Sequence, residues 1–165
     1  MKTLFEDIQA AIANLKGIKW VDWDLGQLEM PATERPPVDF PCVLFGISNI
    51  NFGDAENIEL NDTSFTLKIA FKVFNRSNNL TNPDIKEQAL GHLDVITRIA
   101  KAVEALKASE HYSPPQRKNL TTRRQADPRV YELNFDCLVY DWTAEPDTES
   151  PDLFIEASIG FDLPD

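Results

Sequence analysis

The sequence predicts an α+β fold: an antiparallel β-sheet with two α-helices packed on one face. Three observations predict it. Apolar residues recur at helical spacing in two separate stretches, apolar residues alternate strictly in two others, and the elements follow the order helix, three strands, helix, two strands. At 165 residues the chain fits one domain, and 42% hydrophobic residues are enough to fill its core without staples.

Leu4, Ile8, Ala11, Ile12 and Leu15 mark one helical face, and Gly17 follows at a C-cap position, so the spacing predicts an amphipathic helix over 3–16. Residues 18–25 read as a strand with Val21, Trp23 and Leu25 on one side and Trp20, Asp22 and Asp24 on the other, ended by Gly26. Pro36, Pro37 and Pro41 make the next segment an extended loop, because proline donates no backbone hydrogen bond. It leads into the apolar run 42–47, an inner strand. Over 63–74, Phe65, Leu67, Ile69, Phe71 and Val73 alternate with Thr66, Lys68, Ala70 and Lys72, which predicts a strand with one buried face.

Asn82 as N-cap and Pro83 at the first helical position open a second helix running to about residue 108, with Ile85, Ala89, Leu93, Ile96, Ile99, Val103 and Leu106 as its buried stripe. Residues 109–128 are polar, basic and punctuated by proline, and read as a basic loop or arm. Tyr131, Leu133, Phe135, Cys137 and Val139 then alternate through a strand over 130–142, placed to pair with 63–74. Residues 143–165 form an acidic C-terminal extension with a final strand at 153–161.

The formal net charge of −11 disfavours nonspecific nucleic-acid binding, which requires a cationic surface to release counterions. Its distribution is two-ended: 141–165 holds eight acids and no Lys or Arg, whereas 111–126 holds Arg117, Lys118, Arg123 and Arg124 and no acid. No apolar run reaches membrane-spanning length, and the opening residues meet acid too early for a signal peptide, so the expectation is a soluble protein that is not secreted. Cys42 and Cys137, each inside a strand-like run, read as buried thiols.

Catalytic signatures are absent from the sequence: there is no glycine-rich phosphate loop, no G-x-S-x-G and no C-x-x-C, so neither an enzyme nor a cofactor is expected. His92 and His111 sit outside any metal-ligand spacing. Asp22 and Asp24, with Asp54 or Glu56, read as a solvated strand edge in preference to a cation site, and no metal is expected. The residues singled out are the cations Arg117, Lys118, Arg123, Arg124 and Arg129 and the acids Asp147, Glu149 and Asp152. For the basic stretch, nucleic-acid contact, docking on an acidic partner and an ordinary solvated loop are all open. Docking of the basic stretch on the acidic end of an identical neighbour would give a head-to-tail contact able to close a ring, sensitive to salt and to reversal of Arg123 and Arg124. A monomeric adaptor or ligand-binding domain with Trp20, Trp23 and Trp142 around a pocket is the alternative.

The order of "RPPVDFPCVLFGI", "DTSFTLKIAFKVFN", "NPDIKEQALGHLDVITRIAKAVEAL" and "RVYELNFDCLVYDWT", behind an amphipathic first helix and an aromatic strand, resembles the tail terminator and tail completion proteins of long-tailed bacteriophages and prophages. The resemblance covers roughly residues 3–142 and rests on element order and texture. It implies a non-catalytic structural subunit that forms a homo-oligomeric ring, usually a hexamer, at the head-proximal end of the virion tail after assembly in the bacterial cytoplasm. Tail tube protein and head-tail connector protein are the implied partners, with DNA only passing through the lumen. An acidic lumen would keep that DNA sliding.

Overall fold

The computed structural model describes residues 1–141 apart from 32, 35, 56, 57, 73–82 and 124–127. Its elements are α1 (Lys2–Ala13), β1 (Trp20–Trp23), β2 (Cys42–Ala55), β3 (Ile58–Phe71), α2 (Pro83–Glu104), β4 (Gln116–Arg123) and β5 (Arg129–Asp141). Both helices pack against a five-stranded sheet of order β1-β2-β3-β5-β4, so the α+β class holds. The strand expected at 153–161 lies outside the described residues.

One core lies between the helices and the sheet. Leu4, Ile8 and Ile12 of α1 and Ile96, Ile99, Ala100 and Val103 of α2 close over Val43, Phe45, Phe65, Leu67, Ile69, Phe71, Leu133, Phe135, Cys137 and Val139. Strand periodicity explains the selection, since alternate residues of each strand reach the helical side. Phe65 is the aromatic hub, 5.2 Å from both the Phe45 and Phe135 rings. Tyr112 joins this core and its hydroxyl donates to Asp7 of α1, tying that helix to the chain just ahead of β4.

The sheet is mixed, which corrects the antiparallel expectation: β1 pairs parallel to β2, with Trp20 opposite Cys42 and Trp23 opposite Phe45. A parallel pair needs a long crossover. Residues 24–41 provide it, and the turn that leaves β1 uses Gly26 at φ +79°, a backbone shape closed to most side chains. This crossover is a loop lying on the face opposite the helices, where Leu28, Val38 and Phe40 cover Cys42, Leu44, Ala70 and Val130 in a second, smaller core.

Strand limits differ from expectation in several places. β2 and β3 continue well past their apolar halves as one long antiparallel hairpin, with a register shift between Ile47 and Asn49. Its outer part is polar in sequence, and Phe52 there is 72% exposed. The stretch read as a basic loop contains β4, which pairs antiparallel to β5 from Gln116 opposite Asp136 to Arg123 opposite Val130. Every β4 residue is exposed, so no buried alternation marked it.

Candidate functional site

The helix-free face of the sheet is a surface of polar side chains bonded to one another. Thr66 Oγ1 donates to Asn134 Oδ1 at 2.6 Å, so its lone pairs receive the Ser48 hydroxyl, also at 2.6 Å. Asn134 Nδ2 donates in turn to Asn119 Oδ1 at 2.6 Å. These bonds cross β2, β3, β5 and β4 in one row. Beside it Ser64 donates to Asp136 at 2.8 Å, and Asp136 pairs with Lys118 at 3.1 Å.

Where the crossover loop meets this face, charge is concentrated and partly buried. Lys68 contacts Asp24 at 2.6 Å and Glu29 at 2.8 Å, and Arg123 contacts Glu29 at 2.9 Å and also Glu132. Burial opposes the Lys68 charge, but hydrogen bonds and attraction from Asp24 and Glu29 outweigh it and hold its pKa above the ordinary lysine value. Glu29 is likewise disfavoured by burial, yet Lys68, its own backbone amide and Arg123 hold its carboxyl below the ordinary range. Asp24 also accepts the Gly26 amide at 3.1 Å, while Asp22 accepts the Trp23 amide. Asp24 is therefore part of an ion-pair network instead of a solvated edge.

The sequence-predicted cations separate into three groups. Arg117 pairs with Glu104 at 3.2 Å on the helical side, whereas Lys118 and Arg123 pair across the open face. Arg129 is exposed at the start of β5. Arg124, Asp147, Glu149 and Asp152 lie outside the described residues, as does Trp142. The in-chain pairs mean that Arg117, Lys118 and Arg123 meet carboxylates before any partner arrives.

Among the described residues, Trp20, Leu25, Leu90, Leu93 and Leu120 are exposed apolar side chains at or beside the two edges of the sheet, while Met30, Ile47, Phe52 and Leu138 are exposed elsewhere. At the β1 edge stand Trp20 and, just after the strand, Leu25, which is 75% exposed; Trp20 borders a groove against Ala10 and Ala13 of α1. At the β4 edge, Leu120 shares a groove with Leu93, Ile96 and Leu133, and Leu90 is exposed nearby on α2. Leu93, which helical spacing predicts in the buried stripe of α2, is exposed. The sheet ends at β4, so nothing covers this leucine among the described residues. Two leucines within one helical turn, Leu90 and Leu93, were the available sequence signal.

The remaining candidates are structural. Trp23 packs between Phe5 and Phe45, at 5.4 and 5.1 Å between ring centroids, and so does not share a pocket with Trp20. His92 stacks on Phe71 at 4.1 Å, and burial, with Arg129 nearby, lowers its pKa. Cys137 is a buried thiol whose pKa is pushed up to about 12 by burial, then by Asp136 and Asp62. No helix among the described residues is long and apolar enough to cross a membrane.

No family model matches the chain, and no curated protein matches it. Among solved structures it is similar to a chain from the virion of a native gene transfer agent particle, at 13% identity and a TM-score of 0.45, covering 81% of this chain and 84% of that one. A likeness of that degree carries no residue role across.

Proposed function

We propose that this protein is a structural subunit of a phage or prophage tail, assembling head to tail into a hexameric ring that caps the tail tube and joins it to the head connector. The observation that carries the reading is the placement of exposed apolar surface at opposite edges of one sheet, Trp20 and Leu25 at β1 and Leu90, Leu93 and Leu120 at β4. Two different patches on opposite sides suit a heterologous contact, and such contacts repeat into rings when the rotation closes. The element order in the sequence supports the tail assignment. Arg117, Lys118, Arg123, Arg124 and Arg129, with Asp147, Glu149 and Asp152 on the neighbour, would set the register of the contact, and apolar burial would supply most of the affinity.

Negative-stain microscopy and light scattering of the purified chain, alone and with tail-tube protein, test this. Annular particles are expected. A chain that stays monomeric under both conditions overturns the proposal.

A further inference from the structure

We infer that the outer edge of β4 receives residues 153–161 of a second copy as an added strand. The inference rests on the ring reading and names the segment that would make its contact. Among the described residues β4 is the last strand of the sheet and all eight of its residues are exposed, so its outward backbone groups meet no other described strand. Its two flanks differ in chemistry. On the helical side lie Leu120, Leu93 and Leu90; on the other side lie Lys118, Asn119 and Arg123 within the polar and ionic network.

In sequence the segment 153–161 has the same two-sided character. Leu153, Ile155, Ala157, Ile159 and Phe161 alternate with Phe154, Glu156, Ser158 and Gly160. Laid beside β4, one set would extend the apolar side over Leu120 and Leu93, and Glu156 and Ser158 would fall on the polar side. The charge matches as well, since 141–165 holds no Lys or Arg and β4 holds no acid.

For an antiparallel addition to β4, chain path favours a neighbour over the same chain. β5 ends at Asp141, paired opposite Glu59 and beyond the Gln116–Asp136 pair where β4 begins. A strand antiparallel to β4 would run parallel to β5, so in one chain residues 142–152 would have to cross β4 and return along its full length. Fully extended they reach only about 36 Å, and they contain Pro146 and Pro151. Addition to a second copy needs no such return.

The test uses full-length chains. Leu93→Asp with Leu120→Asp disables the edge; Ile155→Asp with Ile159→Asp disables the segment. Both leucines are exposed, and unchanged circular dichroism checks that the fold persists. Each double variant alone is expected to stay monomeric under conditions where the unaltered chain associates. Mixed in equal amounts, the two should form a one-to-one heterodimer and nothing larger, because one intact segment meets one intact edge. A fluorescent peptide of residues 150–165 should bind the segment variant roughly tenfold or more tightly than the edge variant. If both variants associate as the unaltered chain does, the contact lies elsewhere; this inference fails and the ring reading stands. Peptide binding without a heterodimer shows the segment closing on its own chain and overturns exchange between copies. An unaltered chain that never associates, with or without tail-tube protein, removes the ring reading and this inference together.

Discussion

Lys68 shows how one residue joins three separate parts of the chain. Its ammonium, 13% exposed in the side chain, meets Asp24 at the end of β1 and Glu29 in the crossover loop. Removing it strands a carboxylate that is 12% exposed, and an orphaned buried charge costs more than the pair contributes. Lys68→Met is therefore expected to lower stability by about 2–4 kcal/mol in urea unfolding. Adding Asp24→Asn should recover part of that loss; a cost near zero for Lys68→Met would mean that Asp24 finds water without help. Glu29 gives a pH signature. Its folded pKa lies below the ordinary glutamate value of 4.5, so its stabilisation is fully present above pH 4.5 and is lost as pH falls through the folded value. Thermal melts should therefore show a drop in Tm on acidification below that point, and the drop should be smaller in Glu29→Gln. Equal drops in the two proteins would assign the acid sensitivity to other groups.

At the scale of elements, stability follows the number of packed neighbours. β3 lies in the middle of the sheet, and Phe65 on it is stacked on Phe135, with 11° between the rings, and tilted against Phe45. Phe65→Ala is expected to cost about 3–5 kcal/mol, whereas Leu120→Ala on the β4 edge should change stability by less than about 0.5 kcal/mol, both by denaturant unfolding. Comparable costs would show that β4 is held by its side chains as firmly as the centre is. The same contrast explains what was legible in the sequence. Phe65, Leu67, Ile69 and Phe71 share the helical side of β3, so burial wrote an alternation into the strand that periodicity could read. β4 is exposed at every residue and is held in the sheet by pairing to β5, leaving nothing for hydropathy to detect. The parallel β1–β2 pair was hidden for a related reason: direction depends on where the 24–41 crossover carries the chain, and neither strand encodes it. Of the proposed assembly surface, the basic residues were visible as composition. Their in-chain partners Glu29, Glu104, Glu132 and Asp136 were not, because those pairs exist only once distant elements meet.

For the whole molecule, these ion pairs change the expected response to salt. Charge read along the sequence favours opposite ends attracting, an association that salt weakens. In the folded chain, however, Arg117, Lys118 and Arg123 already face carboxylates, so their attraction for a neighbour's acids is reduced at its source. The net charge of −11 remains on every copy, and bringing copies together concentrates it. Screening should then relieve repulsion more than it weakens attraction, while apolar contact at the sheet edges is insensitive to modest salt or slightly strengthened by it. Sedimentation velocity at fixed protein concentration, with NaCl raised from about 50 mM to about 500 mM, is expected to shift the population toward larger species. Dissociation over the same range would mean that cations other than Arg117, Lys118 and Arg123 hold the copies together, and would return the leading role to charge.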